Sequence, residues 1–302
     1  MPRILEYQVK NEDAGRRVRD ILHQEFRLVA HDIAASKYRV ENGITVNGVQ
    51  VMVNRVLLPG EVLRVILFDE PRGTTIPAEG PLDIRYEDED LIVLNKPAGC
   101  VVHPSHGHYA DSLANFVAWH YQETGQVHEL RTVGRLDKDT SGLIVFGKSR
   151  TACSHLTEQA SEGVRKKRYL ALAEGVFPEM SGDVEAPIAR EIEDQIRRVV
   201  REDGDYALTH FRVERQFAKF ALLSLEIETG RTHQIRVHMA HIGHPLLGDP
   251  LYGSGAFDAC IGRAALHAEY LEFLQPFSNE KICLTAELPA DMQAVLAAAE
   301  CR

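Results

Sequence analysis

Four large apolar residues in a row, Leu143-Ile144-Val145-Phe146, stand between Gly142 and Gly147. Such a run reads as a buried β-strand, which commits the chain to a sheet with a covered core. The same stretch, Gly142 to Ser149, also fits the phosphate-loop pattern G-x-x-x-x-G-K-[ST], and "VILFDE" at Val65 to Glu70 could pass for the acidic strand of a nucleoside-triphosphatase. A phosphate loop follows a buried strand and wraps backbone N–H groups around an anion, which favours small residues between its glycines. Here those positions are bulky, the polar "RLDKDTS" precedes them, and the acidic strand comes earlier in the chain. The nucleotide-binding reading is rejected on those grounds.

The pattern divides the chain in two. "RRVRDILHQEF" and "AHDIAASKYRVENG" have helical spacing, with Gly43 as the C′ residue of the second. "ITVNGVQV" then sets Asn47-Gly48 between apolar residues, a strong hairpin signal, and "VLRVILF" reads as a further strand. Residues 1–68 therefore form one small domain. Residues 69–82, rich in Pro, Gly, Thr and charge, read as a linker, and 83–302 as a larger domain. In the latter, "DLIVLNKP", "SGLIVFGK", "KRYLALAEG", "LTHFRVERQ" and "KFALLSLEIETG" read as strands, "DSLANFVAWHYQE" and "TACSHLTEQASE" as helices. Strands that follow one another directly imply an α+β domain around a largely antiparallel mixed sheet.

The net charge of −10 argues against a nucleic-acid partner only if charge is spread evenly, and it is not. Residues 1–68 carry a net +2, so the acid excess lies wholly in the larger part. Five cysteines without a C-x-x-C pair argue against a disulfide framework and a thiolate zinc site, and are expected to be buried or idle. No apolar run is long enough for a membrane span, and "MPRILEYQVKNEDAGRRV" lacks a secretory pattern, so a cytoplasmic protein is expected, with a monomer as the default.

The polar segment Gly134-Arg135-Leu136-Asp137-Lys138-Asp139-Thr140-Ser141 precedes the buried strand and thus stands at a sheet margin, where sites form. Taken alone, it is equally a loop whose Asp and Thr cap local backbone groups. Other segments change the balance. "GRLDKDTSGL" resembles the catalytic motif of the RluA-type pseudouridine synthases. "YEDEDLIVLNKPAGCVVHPSHGH", "KKRYLALAEG", "LEIETGRTHQIRVHMAHIGHPLLGDPLYG" and "LHAEYLEFLQP" match further family segments in the same order, together spanning roughly residues 84–276. Most relatives have His before Arg-Leu-Asp where this chain has Gly134. "HDIAASKYRVENGITVNG" resembles an S4 domain, a small RNA-binding unit.

The resemblance implies an RNA pseudouridine synthase, an isomerase that detaches uracil from C1′, turns it and rejoins it through C5. Neither cofactor nor metal enters that reaction. It implies Asp137, Tyr169 and Arg236 as catalytic residues, with Arg236 holding the Asp137 carboxylate in a bidentate pair and Tyr169 stacking on the uracil and accepting or relaying the C5 proton. Asp137 attacks C1′ or removes a proton from C2′, and both roles remain open. Arg135, Leu136, Thr140, Lys167, His233 and Gln234 are implied as substrate contacts, with Arg135 filling the space of the everted base or holding a phosphate. Arg165 to Arg168 and the cluster Arg197, Arg198 and Arg201 could follow an RNA backbone, the second being equally a solvated charged face. Large-subunit ribosomal RNA is the first expectation for the substrate, transfer RNA the second. A non-catalytic RNA-binding or ribosome-assembly protein on the same fold is the alternative. His103, His106, His108, His233, His238, His241 and His244 could suggest a metal site, but no H-E-x-x-H accompanies them, and no metal is expected.

Overall fold

The computed structural model describes residues 3–67, 75–192 and 196–300. The expected boundary at residue 68, the linker as far as residue 74, the acidic pair Asp69-Glu70 and Cys301 lie outside the described residues. The N-terminal part is a sheet of β1 (Arg3–Gln8), β2 (Ile44–Val46), β3 (Val49–Gln50) and β4 (Val62–Leu67) in the order β1-β4-β2-β3, with α1 (Val18–Gln24) and α2 (Ala30–Arg39). β4 turns Leu63, Val65 and Leu67 inward, the two-residue period of a strand with one covered face. α1 buries Val18, Ile21 and Leu22, the matching helical stripe. Asn47 (φ 50°) and Gly48 (φ 81°) form the hairpin turn between β2 and β3. Two details differ from expectation. β1, which pairs antiparallel with β4, has no counterpart among the expected strands, and α2 stops at Arg39, with Asn42 (φ 54°) rather than Gly43 in the left-handed region.

The large sheet contains β5 (Ile84–Glu87), β6 (Leu91–Lys96), β7 (Arg131–Thr132), β8 (Ser141–Gly147), β9 (Lys166–Glu174) and β10 (Ser181–Glu185). After a separate ribbon of β11 (Ile188–Arg190) and β12 (Arg198–Val200), it continues with β13 (Leu208–Gln216), β14 (Phe220–Ile227), β15 (Leu266–Leu274) and β16 (Lys281–Thr285). Its order is β10-β13-β14-β9-β15-β8-β6-β5, with β16 beside β15 and β7 beside β8. Among the described residues the pairing is antiparallel except between β15 and β8. The α-helices of this part are α3 (Leu113–Glu123), α4 (Arg150–Ser161), α5 (Gln234–His241) and α6 (Ala290–Glu300). None of the helices among the described residues is long and apolar enough to cross a membrane.

The apolar run Leu143 to Phe146 lies in β8, which is buried along its whole length. Its alternate residues serve two cores. Leu143 and Val145 join Leu91, Val93 and Leu156 of α4, whereas Ile144 and Phe146 join Ile92, Leu94 and Leu113 and Val117 of α3. Covering both faces is what removes polar alternation from such a strand. The N-terminal part contacts α4: the Asp32 carboxylate accepts from the Thr151 backbone N–H (3.1 Å) and hydroxyl, and the His155 ring reaches Arg27 O (2.9 Å) and Pro276 O (2.6 Å). Phe277 packs on the N-terminal core.

β8 and β9 flank β15 so that Gly142 and Tyr169 both pair with Ala268. Gly142 has φ +108°, and a Cβ there would stand 2.2 Å from the Ala268 carbonyl oxygen. Both strain and collision fall on main chain that cannot move aside. Gly142→Ala is expected to lower the unfolding free energy by on the order of 3 kcal/mol, measured by denaturant titration.

Candidate active site

Asp137 lies on the loop between β7 and β8, just before the parallel seam of the sheet. The loop is held by its own main chain. The Thr140 N–H donates to Asp137 O (3.2 Å), the Gly99 N–H to Lys138 O (2.9 Å), and Arg263 Nη1 to Asp139 O (3.0 Å). Lys96, fully buried, donates from Nζ to Lys138 O (2.9 Å), Cys100 O (2.7 Å) and Pro97 O (2.9 Å). Burial pushes its ammonium down to about 8, against the nearby Cys100, Asp139 and Asp137. These bonds fix the loop without engaging the Asp137 carboxylate.

That carboxylate is partly exposed and faces three basic groups at one distance. Arg135 Nη2 is 3.9 Å from Oδ1, while His233 Nε2 and Arg236 Nη1 are each 3.9 Å from Oδ2. The expected bidentate pair between Arg236 and Asp137 is therefore corrected. Arg236 Nε and Nη2 donate instead to Asp249 Oδ2 (2.7 Å) and Oδ1 (2.6 Å), and Oδ1 also accepts from the Leu251 (2.9 Å) and Tyr252 (3.2 Å) N–H groups. The physical reason is burial. Arg236 and Asp249 are both inside the protein, where a guanidinium needs a fully bonded counter-ion, whereas Asp137 is at the surface of a cavity. Burial opposes the Arg236 charge, but the Asp249 bonds and charge, with Asp137, raise its pKa above the ordinary value.

The nine residues named from the sequence all line one cavity of about 900 Å³. Their availability differs. Arg135 is exposed at the rim, Leu136 is buried in the main core, and Thr140 is buried in the cavity wall. Gln234 is not free for a substrate: its Oε1 accepts from Thr229 Oγ1 (2.7 Å) and the Arg231 N–H (3.0 Å), and its Nε2 donates to Leu208 O (2.8 Å) and Thr209 Oγ1 (3.1 Å). It ties the start of α5 to β13. His233, just before α5, has φ 57°. Burial lowers its pKa below the ordinary value, with Asp137 opposing and Arg236 reinforcing the effect.

β9 sorts the basic run by its two-residue period. Lys167 and Tyr169 face the cavity, joined by Arg165 just before the strand, while Lys166 is exposed and Arg168 pairs with Glu269 (3.0 Å). Lys167 Nζ stands 5.1 Å from the Tyr169 ring centroid. Burial, with Arg165 beside it, pushes Lys167 down to about 7, and burial also lowers Arg165. The Tyr169 phenol is pushed up by burial and then by the Asp137 charge, so it stays protonated and is no ready phenolate base. In the second cluster, Arg197 lies 3.7 Å from Glu191 and Arg201 pairs with Asp203.

The phosphate-loop letters fold as β8 and the start of α4. Lys148 Nζ donates to Glu87 Oε1, Asp88 O and Gln126 Oε1, each at 2.7 Å, and Ser149 Oγ caps α4. The histidines are dispersed: His103 meets Thr132, His108 meets Asp111, His238 meets Thr209 and Ala186 O, and His244 stacks on Phe177. Among the described residues no cluster of three His, Cys, Asp or Glu is placed to hold a metal. Cys100 and Cys153 are partly buried, and Cys260 and Cys283 are exposed; all four are free thiols, as an expectation of buried or idle cysteines allows. Sequence reasoning assigned no role to Lys96, Asp249, Tyr252 or Arg263. The signals for the first three lay in the quoted Lys-Pro-x-Gly and Gly-Asp-Pro-x-Tyr-Gly strings.

A reachable carboxylate beside a phenol ring, edged by Arg165 and Lys167, which have no acid partner among the described residues, suits an anionic, ring-bearing substrate. Comparison with known proteins agrees. The RNA pseudouridylate synthase family model matches residues 90–241. The chain is 42% identical over 252 residues to the uncharacterized RNA pseudouridine synthase YhcT of Bacillus subtilis, covering 83% of each protein. It is 37% identical to the ribosomal large subunit pseudouridine synthase D of Xanthomonas campestris, covering 96% of this chain and 91% of the relative. The fold matches that of human RNA pseudouridylate synthase domain containing 4, with a TM-score of 0.59 at 24% identity, over 72% of this chain and 93% of the other. The chain belongs to the RNA pseudouridylate synthase family and is an RNA pseudouridine synthase, an isomerase.

Proposed function

We propose that Asp137 acts on the sugar of an everted uridine in large-subunit ribosomal RNA. The observation that carries this reading is the Asp137 carboxylate itself, open to the cavity and attended by Arg135, His233 and Arg236 at 3.9 Å, each too far to occupy it with a hydrogen bond. The bond from C1′ to N1 breaks with the carboxylate facing the sugar. The departing uracil spreads its charge over ring and carbonyl oxygens, turns, and bonds to C1′ through C5; the C5 proton leaves and N1 gains one, so atoms balance. Tyr169, kept protonated by its surroundings, serves the uracil as a neutral ring and as a relay through its hydroxyl rather than as the final proton acceptor. Arg135, Arg165 and Lys167 receive phosphates, which suits the last two, desolvated cations with no carboxylate beside them among the described residues. Everting the base costs a few kcal/mol, least in loops and bulges.

The ribosomal substrate is supported by the relative that is aligned with nearly the whole chain and named for the large ribosomal subunit. The N-terminal part is read as an S4-like RNA-binding domain. Its helix α2 exposes Tyr38 and Arg39, with Lys37 Nζ 4.5 Å from the Tyr38 ring centroid, a combination suited to bases and phosphates.

Asp137→Asn is expected to abolish tritium release from C5-labelled uridine in ribosomal RNA while RNA binding, read by fluorescence anisotropy, is retained. Unchanged release would remove Asp137 from the mechanism. Asp249→Asn leaves the Arg236 charge without its counter-ion; a loss of on the order of 3 kcal/mol in denaturant titration is expected, together with reduced turnover. The Lys167 cation is present below about 7 and lost above it. RNA affinity should accordingly weaken, by roughly tenfold between about pH 6 and pH 8, and this slope should vanish in Lys167→Arg, whose charge does not titrate.

A further inference from the structure

Tyr252 lies outside the residues assigned so far, yet its hydroxyl joins the ribbon to the site. The Arg198 backbone N–H, in β12, donates to Tyr252 Oη (2.8 Å), and the same oxygen is 3.0 Å from His233 Nδ1. A phenol has one hydrogen, and since the amide contact uses only a lone pair, that hydrogen is available to Nδ1 of the imidazole. Burial raises the Tyr252 pKa, so the hydroxyl remains a donor, and the lowered His233 pKa leaves the ring neutral with a single N–H. The other ring nitrogen, Nε2, faces Asp137 Oδ2 at 3.9 Å. Charges around the imidazole come from Asp137, Arg236, Asp249 and Arg198.

We propose that Tyr252 is a positioning residue for the isomerisation: by donating to His233 Nδ1 it holds the imidazole as the Nε2–H tautomer, with that N–H directed at Asp137 Oδ2. The opposite tautomer would set a nitrogen lone pair against the carboxylate, with Nδ1–H donating to the Tyr252 oxygen and the phenol hydrogen losing this acceptor. With the correct tautomer, His233 and Arg236 both attend Oδ2, and Oδ1 is the oxygen left toward the rim and the sugar. The left-handed backbone at His233 fixes where the ring starts, and the Tyr252 hydroxyl fixes which nitrogen carries the proton. This inference rests on the assignment of Asp137 made above.

The test uses full-length protein labelled with ¹⁵N-histidine. Long-range ¹H–¹⁵N correlation, with His233 assigned by its loss in His233→Gln, is expected to show His233 as the Nε2–H tautomer, and Tyr252→Phe is expected to convert it to a mixture. Tyr252→Phe keeps the ring that Arg236 (5.2 Å) and Arg197 (5.6 Å) approach. It should lower kcat roughly tenfold with KM for the ribosomal RNA transcript unchanged. His233→Gln, whose amide can place a donor near Nε2, should retain more turnover than His233→Asn. A wild-type His233 protonated at Nδ1 would overturn the proposal, as would a Tyr252→Phe enzyme with unaltered tautomer and kcat. If Tyr252→Phe does not fold, the wild-type spectrum and the order of the two His233 variants decide the matter. The spectrum is recorded without turnover, so failure of the Asp137→Asn experiment, which would overturn the catalytic assignment, is distinguishable from failure of the tautomer.

Discussion

A guanidinium inside a protein is tolerated only where its charge is answered, and in this chain Asp249 answers Arg236 with two direct bonds. The fork leaves Nη1 directed toward Asp137 without closing on it. Had Arg236 formed its bidentate pair with Asp137, one lone pair on each carboxylate oxygen would be committed to the guanidinium and the group would be less free to approach a sugar. The buried pair thus supplies positive potential at the site while keeping the reactive carboxylate open.

The same division of labour governs the loop. Lys96 and Arg263 grip the carbonyl oxygens of Lys138 and Asp139, the two residues that follow Asp137, and the close approach of Gly142 to Ala268 sets where the strand begins. Main-chain anchors hold a side chain in place without consuming its hydrogen-bonding capacity, which is what preorganised chemistry requires. The cations at the cavity are arranged in the opposite sense: Arg165 and Lys167 are poorly solvated and repel each other, so an incoming anion relieves them.

Much of this arrangement is legible in the amino-acid sequence. Continuous apolar runs mark β6 and β8, and amphipathic spacing marks α3 and α4, because burial on two faces or one leaves different periods in a sequence. The Asp137 loop is legible from its polar composition at the edge of a buried strand and from family resemblance. What the sequence does not record is the choice among partners. One guanidinium has two carboxylates within reach, and only their relative depth selects Asp249; nothing local to Arg236 encodes that depth. Gln234 departs from its expected role for a similar reason, since a polar residue in a matched motif looks the same whether it meets a ligand or ties α5 to β13. By contrast, the sorting of Arg165 to Arg168 onto two faces follows from strand period alone.

The contact between Asp32 and Thr151 bears on how the two parts of the chain depend on each other. Thr151 belongs to the first turn of α4, whose free amides attract negative charge, and the acid that meets them comes from a segment more than a hundred residues earlier. A version trimmed to begin after the linker would keep every group around the cavity. It would also bare a helix end, a histidine and a phenylalanine that the missing part had covered, making the shortened protein stickier and softer along α4.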